Sequence, residues 1–89
     1  MIVSASGQTL IRELDGESVL LDLDSGMYYG LNQVATVVWS RMVAASEVAV
    51  DRLVADVVEE FAVEPDVARR EVEAFVEALR ASRLAHVRR

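Results

Sequence analysis

The hydrophobic period of this chain changes once, at Asn32, and that change limits what the chain can fold into. Before it, apolar residues come in short runs of period two broken by turn signals; after it, they recur at helical spacing. Residues 9–14 form the first run, closed by Asp15-Gly16. Residues 18–23 form the second, with Val19, Leu21 and Leu23 on one face, closed by Asp24-Ser25-Gly26. Met27, Tyr28, Tyr29, Gly30 and Leu31 make the third. Links this short imply an antiparallel meander of three strands in sequential order. Residues 1–8 carry little pattern and are expected to be a frayed end or an extension of the first strand.

Asn32 is a good helix N-cap, and Val34, Ala35, Val38, Trp39 and Met42 follow it on one stripe. Val50, Leu53, Val54, Val57, Val58 and Phe61 define a second helix whose acids lie off the stripe. Glu64-Pro65-Asp66 restarts the chain, with proline where a missing N–H costs nothing and acids near the positive helix end. The third helix is expected to bury Ala68, Val72, Phe75, Val76 and Leu79 and to run to about Ser82. Leu84 and Val87 are expected to add a short packed tail. Three strands cannot bury both faces of a sheet, and three short helices are marginal alone, so the two sets must share a core. The expected fold is therefore α+β and winged helix-turn-helix-like: an N-terminal three-stranded antiparallel sheet over residues 9–31, packed on three C-terminal helices and a tail over 32–85. With 89 residues, a second core would not fit, so residues 1–89 read as a single domain.

Charge and composition exclude several function classes. Apolar residues make up 53 % and charged residues 27 %, the profile of a soluble globular domain. No apolar run reaches membrane-span length and no signal layout opens the chain, which points to the cytoplasm. The net charge is −6, and all nine basic side chains are arginine. A winged helix suggests DNA binding, yet the third helix sets Glu71, Glu73 and Glu77 among Arg69, Arg70 and Arg80. Carboxylates on a groove-entering helix are costly against phosphates without a basic frame, so nucleic acid is not the expected partner.

Catalytic chemistry has little footing. His86 is the only histidine and sits in the arginine-rich tail; cysteine is absent; the glycines are scattered over turns. Asp22 and Asp24 could hold a hard cation only weakly and read instead as the flanks of a strand end. No enzyme activity, metal or cofactor is expected. What remains is the sheet edge. Met27, Tyr28 and Tyr29 offer large contact area, and Gly30 lets a second backbone approach, so an extended peptide could add there as a further strand. The plainer alternative is that both tyrosines are ordinary strand residues, one inward and one outward.

The run from Leu21 to Asn32, Leu-Asp-Leu-Asp-Ser-Gly-Met-Tyr-Tyr-Gly-Leu-Asn, followed by Ala35 and Trp39, resembles the PqqD-like proteins, the leader-recognition elements of ribosomally made peptide natural products. Val63-Glu64-Pro65-Asp66 and Phe75-Val76-Glu77-Ala78-Leu79 continue that likeness, which covers roughly residues 9–85. The chain lacks the tryptophan-rich, proline-containing strand of the pyrroloquinoline-quinone pathway member. It is most similar to the free-standing lasso-peptide type. The resemblance implies a non-catalytic carrier that binds a precursor's leader peptide and delivers it to a separate cysteine protease. It further implies backbone contacts from Tyr28, Tyr29, Gly30 and Leu31, with Val72, Phe75, Val76, Leu79 or Arg80 lining the far wall of a groove. Two other readings stay open beside it: an acidic winged-helix regulator that binds DNA, and a peptide chaperone for a radical-SAM modifying enzyme.

Overall fold

The change of period at Asn32 is a change of structure. In the computed structural model, which describes residues 1–89, the Asn32 side chain accepts from the Ala35 amide at 2.9 Å and caps helix α1, Gln33–Ala45. Upstream lie strands β1 (Ile2–Ala5), β2 (Thr9–Leu14), β3 (Glu17–Asp22) and β4 (Tyr28–Leu31). Downstream come β5 (Val48–Ala49), helices α2 (Val50–Phe61) and α3 (Pro65–Ala81), and β6 (Ala85–Arg88). The expected meander is present as the sheet β2-β3-β4, antiparallel throughout. Its first turn, Asp15-Gly16, holds both residues at positive φ (55° and 82°), the two-residue hairpin that matches strand twist and favours glycine.

Two expectations about the strands need correction. Residues 1–8 are neither frayed nor an extension of the first run. Ile2–Ala5 is the central strand of a second sheet, β5-β1-β6, with Val3 fully out of solvent. The expected packed tail is present, Leu84 being buried and Val87 packed on the core, and residues 85–88 form the edge strand of this sheet. Pairing such as Val3 with Val87 joins residues from opposite ends of the chain. No local turn chemistry announces so distant a partner.

The second correction concerns which face of β3 is buried. Val19 and Leu23 are about half exposed and Leu21 half-buried, whereas Ser18, Leu20 and Asp22 are buried. The sheet docks through its polar alternation because those polar groups find partners. Ser18 Oγ lies 2.8 Å from Thr36 Oγ1 on α1, and the Asp22 carboxylate accepts from the Asp24 amide (3.0 Å) and the Ser25 hydroxyl (2.8 Å). A buried polar side chain that is fully bonded costs little, so hydrophobic periodicity alone misassigned the face. Asp22 is thereby committed to closing its own turn.

The helices pack much as their stripes imply. Val38, Trp39 and Met42 from α1, Val50, Leu53 and Val57 from α2, and Ala68, Val72, Val76 and Leu79 from α3 belong to one cluster of 17 buried residues. Val58, Phe61 and Phe75 sit at its margin, partly buried. Arg69 on α3 donates to Asp51 on α2 at 2.8 Å, and this bond holds the guanidinium pKa above its ordinary value.

The reversed face makes a direct prediction. Leu20→Ala removes a fully buried side chain and should cost about 2–5 kcal/mol. Val19→Thr alters only the solvent side and should stay within about 0.5 kcal/mol of the parent. Urea unfolding of both variants checks the assignment; the opposite ranking would restore Val19 to the core.

Candidate functional site

Antiparallel pairing decides which backbone groups β4 leaves free. The Asp22 amide donates to the Met27 carbonyl at 2.9 Å, closing the second hairpin and setting the phase of the ladder. From there the bonded pairs are Leu20–Tyr29 and Ser18–Leu31, and the non-bonded pairs are Leu21–Tyr28 and Val19–Gly30. The N–H and C=O of Tyr29 and Leu31 therefore turn inward to β3. Those of Tyr28 and Gly30 turn outward, and no strand of the protein lies beyond them. Of the four residues expected to offer backbone contacts, two have free groups.

Side chains alternate in step. Leu31 is buried and Tyr29 half-buried, both pointing into the core side; Tyr28 is 69 % exposed on the other face. Met27 precedes the strand and is also exposed, its amide bonded to Ser25 Oγ at 3.2 Å. The two tyrosines are thus one inward and one outward. Gly30 has open space where a Cβ would stand, so neither side chain nor backbone of this protein crowds the edge there.

Beside that edge runs α3. A cleft of about 300 Å³ lies between them, lined by Gly30, Asn32, Val34, Ala35, Glu71, Ala74 and Phe75. Of the α3 residues expected to form its wall, Phe75 is in place. Val72, Val76 and Leu79 are not wall residues: all three are buried in the core at 4 % exposure or less, and they hold α3 rather than line its groove. Arg80 lies on another flank, in a depression shared with Met1, Glu73, Val76, Glu77, Val87 and Arg89 beside β6. It donates to both carboxylate oxygens of Glu77, one bond measuring 2.8 Å, and these bonds hold the Glu77 carboxyl below its usual range.

Sequence reasoning passed over Val34, Glu71 and Ala74. A signal existed, since 71, 74 and 75 fall at i, i+3 and i+4, one step around the helix from the buried stripe at 68, 72, 76 and 79. Both line the cleft, Ala74 with a small side chain and Glu71 with a carboxylate. The arrangement offers two outward N–H/C=O pairs, an apolar floor from Val34 and Ala35, and an aromatic wall from Phe75. Nothing in it activates a nucleophile. An extended chain would find there backbone bonds along one edge and apolar cover for one row of side chains.

At the second edge of the same sheet only the first residue, Thr9, lines a depression with α1, shared with Trp39, Met42 and Val43. Five of the six residues of β2 are exposed, and the strand overhangs the core. As for groove entry by α3, two of its arginines are already engaged by carboxylates: Arg69 with Asp51 and Glu73, Arg80 with Glu77. No helix is long and apolar enough to cross a membrane.

The family described as Coenzyme PQQ synthesis protein D (PqqD) matches residues 17–85, most of the chain and all of the cleft. Two solved structures share the architecture over nearly their whole length. One, described as TbiB1 in complex with the TbiA(beta) leader peptide, is 26 % identical, with a TM-score of 0.81 over 97 % of this chain and 98 % of that one. The other, a lasso peptide synthetase B1 complexed with the leader peptide, is 25 % identical, with a TM-score of 0.77 over 96 % and 98 %. No curated protein matches the chain in sequence.

The ladder phase can be read by amide exchange. In the free protein, the Tyr28 and Gly30 amides should exchange much faster than those of Tyr29 and Leu31, which are tied to β3. Equal protection at all four would show that the edge is already covered.

Proposed function

The chain belongs to the PqqD family, and on that premise we propose that it binds the leader segment of a ribosomally synthesised precursor peptide. The leader adds as a strand along β4 and is presented to a separate leader peptidase of lasso-peptide biosynthesis. The observation that carries this reading is the unpaired edge at Tyr28 and Gly30 with the Phe75 wall facing it across an apolar floor. The two leader-peptide complexes of the same fold support it. Backbone bonds supply affinity that is indifferent to most side-chain identities. Selectivity then comes from alternate leader residues that drop into the cleft between Val34, Ala74 and Phe75.

This division of labour assigns roles to the residues. Tyr28 and Gly30 donate and accept through the backbone, and Met27 flanks the strand entrance. Tyr29 and Leu31 anchor β4 to β3 and the core so that the edge does not move when loaded. Val72, Val76 and Leu79 fix the height of α3, and Phe75 is its contact with the leader. Arg80, locked to Glu77 on another flank, supports the helix. The whole of residues 1–89 acts as one domain in the cytoplasm, where such precursors are translated. The carrier has no chemistry of its own, and cutting belongs to the cysteine protease it serves.

Gly30→Pro tests the edge with little disturbance of the fold. The lost N–H points away from β3, an edge strand tolerates proline, and no atom crowds the position. The missing bond alone should weaken leader affinity roughly three- to tenfold, and steric blocking adds to that. Fluorescence polarisation with labelled leader measures the loss, and circular dichroism checks the fold. Unchanged affinity, or new amide protection confined to residues 9–14, would move the leader to the other edge. Tight binding of random duplex DNA in its place would favour a regulator.

A second expectation concerns catalysis. Purified protein incubated with full-length precursor should leave the peptide uncut by mass spectrometry. Clean cleavage within the leader would make the protein an enzyme rather than a carrier.

A further inference from the structure

Charge is divided along this chain. Residues 80–89 hold four arginines, Arg80, Arg83, Arg88 and Arg89, and no acidic side chain, while all fifteen acids lie before them. By sequence such an end is a solvated tail, but the fold makes it a strand. β6 is the outer strand of the β5-β1-β6 sheet, and no strand lies on its far side. The Ser6 amide donates to the Leu84 carbonyl at 2.9 Å and sets the phase of the β1–β6 ladder. The bonded pairs are then Ser4–His86 and Ile2–Arg88, and the non-bonded pairs are Ala5–Ala85 and Val3–Val87. The N–H and C=O of Ala85 and Val87 therefore turn away from β1, toward an open edge.

The two faces of that edge differ. On the face toward α3, Met1, Val76 and Val87 give an apolar base to a depression of about 420 Å³. On the opposite face His86 and Arg88 are exposed. Glu77 engages Arg80, and Glu47 engages Arg88. Arg83 and Arg89, which flank the strand, are exposed and form no ion pair.

We propose that β6 is a second strand-addition edge, and that it takes an extended segment of a partner protein in which acidic and apolar residues alternate. The inference does not depend on what β4 holds. Backbone groups of Ala85 and Val87 bond the incoming strand, and pleating sends its side chains alternately to the two faces. One row covers Val76 and Val87, and the other meets His86 and Arg88, with Arg83 and Arg89 at the strand's two ends. Charge on an edge strand commonly serves to keep other strands away. That task needs no single sign and no apolar depression beside the strand, and β6 has both. Charge also selects among occupants. A second copy pairing β6 to β6 would set these cations against their own kind. A nucleic acid would leave the two open N–H/C=O pairs unused and would meet a net charge of −6.

A fluorescein-labelled peptide of alternating Glu and Val is titrated into the full chain by fluorescence polarisation, with alternating Lys and Val as the control. The acidic peptide should bind, should lose about threefold or more in affinity as salt rises from low to molar concentration, and should slow amide exchange at Ala85 and Val87. Arg83→Glu combined with Arg89→Glu should weaken it about tenfold or more. The same pair changed to Gln should fall between the two. Both residues are exposed, so the melting temperature should stay close to the parent's. No binding of the acidic peptide, or equal binding of the basic one, overturns the proposal. So does protection confined to Tyr28 and Gly30, which would put the peptide on β4. Displacement of the peptide by random duplex DNA would assign the arginines to phosphates and overturn it as well. A dimer by light scattering, with Ala85 and Val87 already protected in the chain alone, would give the edge to a second copy.

Discussion

Ala68, Val72, Val76 and Leu79 form one stripe of α3, and all four are almost fully removed from solvent. That burial settles where α3 lies. Each of the larger side chains contributes about 1.5–3 kcal/mol when fully buried, so the helix cannot slide or roll without losing much of the domain's marginal stability. With the stripe fixed against the core, the next positions around the helix, Glu71, Ala74 and Phe75, must overlook β4. The cleft is therefore a by-product of core packing, and its width is not free to vary.

β4 is positioned from its other side. Its inward backbone groups are bonded to β3, and Leu31 reaches the core beside Thr36, whose hydroxyl donates to the Leu31 carbonyl at 3.4 Å. Ser18, paired with the same hydroxyl, draws β3 onto α1. One buried polar contact thus pins two strands to the first helix. Strand and helix walls are each held from behind, which leaves the groups facing each other across the cleft uncommitted. An edge held in this way would need little reorganisation on taking up a chain, and less ordering cost would be set against the affinity.

The same contact accounts for the apolar outward face. Because Ser18 and Asp22 occupy the buried side of β3, strict alternation sends Val19 and Leu21 outward. Exposed apolar surface on a sheet with a free edge is an aggregation liability unless something covers it. A net charge of −6 opposes self-association.

Much of this was legible from sequence. The change of period at Asn32, the turns at Asp15-Gly16 and Asp24-Ser25-Gly26, the stripes of α2 and α3 and the proline start at Pro65 are all local signals, and local signals set local structure. They determined a three-stranded meander, three helices and an edge strand rich in aromatics. Tertiary structure alone decided the rest. The N-terminal strand needed partners more than 40 residues away. Val19 and Leu20 exchanged faces because a serine and an aspartate found buried hydrogen bonds that hydropathy does not record. Val72, Val76 and Leu79 became supports while Ala74 and Glu71 became wall, since a helix of known stripe has no known neighbour until it is packed. Periodicity tells which residues travel together on one face; only the partner that face meets decides whether it is core, cleft or surface.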